Sequence, residues 1–123
     1  MTWLWVGAGG FIGSVLRYGV SALVQKSTGH AINAWGTFAV NAAGCLLIGL
    51  LAGLMDGRAA HHPARLFFIT GVLGGFTTFS AFAMESVALL RSGQTWQALA
   101  YAGGSTLTGL ALAFLGYRLA TLS

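Results

Sequence analysis

Residues 74–82 read GGFTTFSAF. Gly74 and Gly75 are poor helix formers that readily adopt unusual dihedrals. Thr77 and Thr78 offer side-chain alternatives to helical bonding. Phe76, Phe79 and Phe82, in turn, do not suit a soluble loop. Together these residues predict a helix interrupted inside an apolar environment, with half-helices over about 66–74 and 79–90. Interrupted backbone at membrane depth is tolerated only where it is buried in protein or lines a cavity. Its half-helix ends expose carbonyls on one side and N–H groups on the other. Carbonyls at such a break suit a cation, and a two-fold axis would supply each of them twice.

Outward from this stretch the chain reads as a polytopic membrane protein. It has 123 residues, 56% hydrophobic and only 7% charged, with 19 glycines. Four transmembrane helices are predicted at 3–24, 36–55, 66–90 and 97–119, in a single all-α domain over 1–123. Each is long enough for a hydrocarbon core that takes about 20 residues. The connections QKSTGHAINA, DGRAAHHPAR and RSGQT are short and polar, with breakers at Gly29, Gly57 and Pro63. Trp3, Trp5, Trp35 and Trp96 all fall at predicted span ends, where an indole ring prefers the headgroup layer. The opening MTWLWVGAGG has no positively charged n-region, which argues against a cleaved signal peptide. Cys45, the single cysteine, lies in an apolar run and reads as a small buried hydrophobe.

Charge placement carries topology. The N-terminus, second loop and C-terminus share one side and hold Arg58, Arg65 and Arg118; the other side holds Lys26 and Arg91. The positive-inside rule needs an asymmetry, and here there is almost none. Insertion in both orientations follows, and with it an antiparallel homodimer whose two-fold axis lies in the membrane plane. The net charge of +4 is scattered, without a basic run to match a phosphate lattice, so no nucleic-acid partner is expected. Gly9 and Gly13, Gly49 and Gly53, and Gly71 and Gly75 are spaced four apart, which lets helix backbones approach closely.

Polar residues within the spans are costly unless satisfied, and each is a functional candidate. They include Arg17, Thr37, Asn41, Thr70, Thr77, Thr78, Ser80, Glu85, Tyr101, Ser105, Thr106 and Thr108. No catalytic constellation is among them. His30, His61 and His62 lie in loops, Ser80 has no histidine base on a neighbouring span, and no carboxylate pair or Walker pattern exists. The protein is therefore not expected to be an enzyme. What remains is a set of neutral hydrogen-bond donors, which suits an anion. Serine and threonine can satisfy themselves on their own helix; a mid-span amide such as Asn41 cannot, which points to a lining or interhelical role. Phe79 and Phe82 share a helix face. Packing explains most membrane phenylalanines, yet a ring edge is positive and offers no lone pair to repel an anion.

Three motifs resemble the small fluoride channels of the Fluc/CrcB family: GGFIGSVLRY (9–18), WGTFAVNAAG (35–44) and GVLGGFTTFSAF (71–82). The resemblance spans essentially the whole chain. It implies a passive fluoride channel of a prokaryotic cytoplasmic (inner) membrane, lowering cytoplasmic fluoride and giving fluoride resistance. It also implies an antiparallel dual-topology homodimer with two fluoride pores, and a structural sodium ion at the dimer centre, held by the backbone carbonyls of Gly74 and Thr77. By motif position the pore residues are Asn41, Phe79, Ser80, Phe82, Tyr101 and Ser105, with Arg17 at a vestibule. The chain departs from the family at Ser14, at Ala81 and at Gly109, where some relatives carry a hydroxyl. A different class, the small dual-topology proton-coupled multidrug exporter, would use Glu85 as its carrier carboxylate; such exporters place that carboxylate on the first span, and this chain has none there.

Overall fold

A computed structural model of the chain describes residues 1–122. The first helix is α1 (Thr2–Thr28) and the second is α2 (Ala34–Leu54). The third span is assembled from pieces: one turn of helix, α3 (Pro63–Arg65), a π-helical stretch (Leu66–Leu73), a second single turn, α4 (Gly74–Phe76), and α5 (Phe79–Arg91). The chain ends in α6 (Thr95–Leu122). Every element among the described residues is helical. Four segments, Thr2–Thr28, Ala34–Leu54, Pro63–Arg91 and Thr95–Leu122, are long and apolar enough to cross a membrane. The protein is a multi-pass, all-helical membrane protein.

Local chemistry sets the helix ends. Gly29 closes α1 in the left-handed conformation, at φ 72°, which a side chain would strain. Asn33 caps α2: its Oδ1 accepts from the Gly36 N–H at 3.1 Å, while its Nδ2 reaches back to Ser21 Oγ on α1 at 2.7 Å. Pro63 occupies the first position of α3, where its missing N–H costs nothing.

Two glycine seams hold the bundle together. On one, α1 lies against the π stretch. A Cβ at Gly9 would collide with the Phe67 carbonyl and one at Gly13 with the Val72 carbonyl, while Gly71 and Gly75 face Gly9 and Gly10. On the other, α2 packs along α6, with Gly49 against Ala113 and Tyr117, and Gly53 against Ala120. The closely packed interior is small, built on Val40, Leu66, Leu73, Phe76, Leu89 and Ala98. Leucine, isoleucine, valine and phenylalanine side chains cover the outside instead. That inversion suits a chain surrounded by lipid or by another apolar surface. Trp3 and Trp96 near the span ends are 88% and 78% exposed, as interfacial rings should be.

Around residues 74–82 the backbone differs from the expectation in one respect. Gly74 is ordinary right-handed helix, at φ −62° and ψ −37°. Thr77 (φ −81°, ψ 156°) and Thr78 (φ −148°, ψ 120°) are the extended residues. Gly75 therefore serves close approach to α1, neither glycine needs unusual dihedrals, and the threonines carry the departure from helix. The sequence contained no sign that Leu66–Leu73 winds as a π-helix, a form found mostly as short insertions near functional sites.

Candidate functional site

The interruption between Phe76 and Phe79 redirects a specific set of hydrogen bonds. In a continuous helix the Thr78 N–H would bond the Gly74 carbonyl. Here it bonds Asn41 Oδ1 at 2.8 Å, and Asn41 Nδ2 returns a bond to the Thr78 carbonyl at 2.9 Å. The amide of Asn41 thus behaves like a strand neighbour, satisfying both backbone groups of one extended residue. The Ala81 N–H, which would serve the Thr77 carbonyl, is instead capped by Thr78 Oγ1 at 3.2 Å. Gly74 and Thr77 are therefore the residues whose carbonyls lose their helical N–H partners to side chains.

The Thr77 side chain is turned inward. Its hydroxyl donates to the Leu73 carbonyl at 3.0 Å, and its methyl fills the notch left by Gly44 on α2. Gly74 is exposed, with nothing nearer to a hypothetical Cβ than the Ile69 carbonyl at 3.8 Å. Two carbonyls freed from helical bonding are a hard-oxygen donor set, of the chemistry an alkali cation takes. No cluster of three or more His, Cys, Asp or Glu side chains occurs among the described residues, so a cation here would depend on backbone oxygen.

Beyond the break, α5, α2 and α6 converge on Glu85. Thr37 Oγ1 donates to one carboxylate oxygen at 2.7 Å and the Tyr101 hydroxyl donates to the other at 2.9 Å. All three residues are legible as polar positions; that Glu85 accepts from both of the others is not. The Tyr101 proton is thereby directed to Glu85. Its ring packs at a tilt of 48° against Phe82, with centroids 5.1 Å apart, and Phe82 in turn meets Phe79 at 5.8 Å. Phe79 is 80% exposed and projects away from its own chain. Ser80 is exposed beside it, 3.3 Å from Thr78 Oγ1. The exporter reading of Glu85 gains no support here, because both oxygens are engaged by neighbours.

A groove of about 770 Å³ opens beside Tyr101, lined also by Trp35, Phe38, Leu89, Ser105 and Thr108, whereas Asn41, Phe79, Ser80 and Phe82 are not on its lining. The one buried side-chain N or O atom without a hydrogen-bond partner among the described residues is Ser105 Oγ, on that lining. A buried hydroxyl left unpaired costs roughly 1–3 kcal/mol, so such an exception calls for a partner. Near Gly109, at the far end of the track, the close neighbour is Cys45 Sγ. Arg17 lies elsewhere: its Nε donates to the Gly75 carbonyl at 3.0 Å, and it lines a polar recess with Tyr18, Ser21, Gln25 and Asn33.

Four apolar spans, one with backbone groups served by side chains of its neighbours, and a line of donors and aromatics beside it define a membrane protein of the channel and transporter class. The sequence model described as CrcB-like protein, Camphor Resistance (CrcB), matches residues 4–117. The chain is 54% identical to a protein of Thermus thermophilus named fluoride-specific ion channel FluC, over 95% of this chain and 93% of that one. Proteins of the same name from Hyphomonas neptunium and Rhizobium meliloti are 49% and 48% identical, covering 95% and 94% of this chain and 93% of each relative. The chain belongs to the CrcB family, a family of ion channels rather than enzymes.

Proposed function

We propose that this chain forms a fluoride-selective passive channel in the cytoplasmic membrane of a prokaryote, lowering cytoplasmic fluoride and so giving fluoride resistance. The relatives' names support fluoride as the ion. The observation that carries the pathway is Ser105 Oγ, a buried hydroxyl with no partner, on the lining of a groove that Trp35, Phe38 and Tyr101 also line. Fluoride is small and strongly hydrated, and must exchange water for short-range donors. Ser105, Ser80 and the second N–H of Asn41 can supply them, with the edges of Phe79 and Phe82 between. Tyr101 would position Phe82, with its own proton held by Glu85. Neutral donors and ring edges hold an anion less firmly than lysine or arginine, which favours release.

The functional unit in this reading is an antiparallel, dual-topology homodimer with two pores. The three-to-two charge count and the largely apolar exterior support it. At its centre the mid-membrane break would present Gly74 and Thr77 carbonyls from both copies to one sodium ion, which would act as a structural positive centre. Purified protein in liposomes tests the channel: fluoride efflux far above chloride efflux is expected, without any need for a sodium or proton gradient. Chloride flux equal to fluoride flux, or strict dependence on a gradient, would refute it.

Gly74 tests the dimer by sign. It is helical and exposed, and a Cβ meets only ordinary contact within the chain. If nothing covers it, Gly74→Ala should stabilise the fold by roughly 0.5–1 kcal/mol. If a second copy covers it, the same methyl intrudes on the cradle and should shift the protein toward monomer. Loss of dimer in a detergent sizing run is the expected result; a raised unfolding temperature with unchanged size contradicts it.

A further inference from the structure

We infer that Arg17 is a positioning residue for the break, acting through its Nε–H on the Gly75 carbonyl rather than through its charge. This rests on the cation-cradle reading above. In an unbroken helix the Gly75 carbonyl would accept from Phe79 N–H, but α4 ends at Phe76 and Phe79 only begins α5. Arg17, half-buried on α1, supplies a donor to that carbonyl at 3.0 Å. Gly75 itself lies so close to Gly10 and Ser14 of α1 that a Cβ would meet the Gly10 carbonyl at 2.6 Å. One end of the break is thus pinned to α1 by Arg17, and the other to α2 by Asn41 through Thr78. The pins at Gly75 and Thr78 bracket Thr77, and Gly74 directly precedes the first of them. An arginine that merely snorkelled to headgroups, or only attracted anions to a vestibule, would have no use for its Nε pointing at a peptide carbonyl.

Chemistry separates donor from charge. Glutamine Nε2 and arginine Nε are both bonded directly to Cδ, so Arg17→Gln keeps an N–H at the same distance along the side chain and removes the charge. Arg17→Met is neutral and has no donor. Arg17→Lys keeps the charge but moves its nitrogen one atom further out. The measurements are fluoride flux in liposomes at fixed protein, and the sodium concentration giving half of the maximal rise in unfolding temperature.

The expected order is Gln above Lys and Met. Arg17→Gln should exceed Arg17→Met by at least about tenfold in flux, from the cost of leaving the Gly75 carbonyl without a donor. Its sodium midpoint should stay nearest to wild type, while those of Lys and Met move to higher sodium. Arg17→Lys equal to or above Arg17→Gln, or Gln no better than Met, would overturn the inference. If Arg17→Met does not assemble, the Gln-to-Lys order still decides. Wild type without sodium dependence would refute the cation reading alone, and the flux order would then judge the positioning role. Wild type without fluoride flux would refute the channel reading alone, and the order of unfolding temperatures would judge it.

Discussion

Asn41→Asp is expected to reduce fluoride flux by more than about a hundredfold, since stranding an uncompensated charge in a buried site costs on the order of 3–5 kcal/mol. The expectation comes from the paired bonds to Thr78. Asn41 Oδ1 accepts from the Thr78 N–H at 2.8 Å, and Nδ2 donates to its carbonyl at 2.9 Å. An ionised aspartate preserves the first bond and sets an oxygen against the carbonyl in the second. It also places an acceptor where the proposed pathway needs a donor. Asn41→Ser should retain more flux: the shorter hydroxyl loses the paired bonds but adds no charge and still offers a donor. Protonated aspartic acid presents an O–H where the amide has its N–H. Unfolding temperature of Asn41→Asp should therefore rise on acidification relative to wild type. An Asn41→Asp protein with wild-type flux would show that neither the Thr78 bonds nor the lining role matters to conduction.

The second large effect separates two adjacent rings. Phe79→Ile and Phe82→Ile should each lower fluoride flux by at least about tenfold while the protein still assembles, because isoleucine retains apolar bulk but lacks a positive edge. Their stabilities should differ. Phe79 is 80% exposed and touches its own chain chiefly at Phe82, so its replacement should leave the unfolding temperature of the single chain almost unchanged. Phe82 sits between Phe79 and Tyr101, and Tyr101 holds Glu85. Losing that ring, tilted against both neighbours, should cost about 0.5–1.5 kcal/mol beyond apolar area. Flux and sizing runs on both variants check this. Well-assembled Phe79→Ile protein with wild-type flux would sink the ring-edge role outright, since packing within the chain gives Phe79 almost nothing else to do.

Much of the molecule was legible from residue types alone. The scarcity of charge, the tryptophans at span ends and the turn residues at Gly29, Gly57 and Pro63 define four spans, because lipid requires long apolar helices and short polar links. The glycines spaced four apart mark helix contact, because only they let backbones meet. Motifs resembling a known family are what nominate the candidate pathway residues; residue types alone do not. In GGFTTFSAF both the glycines and the threonines are able to interrupt a helix, and composition cannot choose between them.

Tertiary structure decided that choice. Gly74 and Gly75 remain helical, with Gly75 close against α1, while the chain extends at Thr77 and Thr78, where Asn41, 37 positions from Thr78, offers the Thr78 backbone a replacement partner. No local propensity encodes that pairing. In the same way Thr37, Glu85 and Tyr101 are separate polar letters until α2, α5 and α6 bring them within hydrogen-bond reach. Arg17 reads as a stray charge on the first span until packing sets its Nε against Gly75. A sequence determines which groups must find partners in an apolar solvent, because the cost of leaving them unpaired is local to each group. Which partner each one finds depends on distances between helices, and those exist only once the bundle has formed.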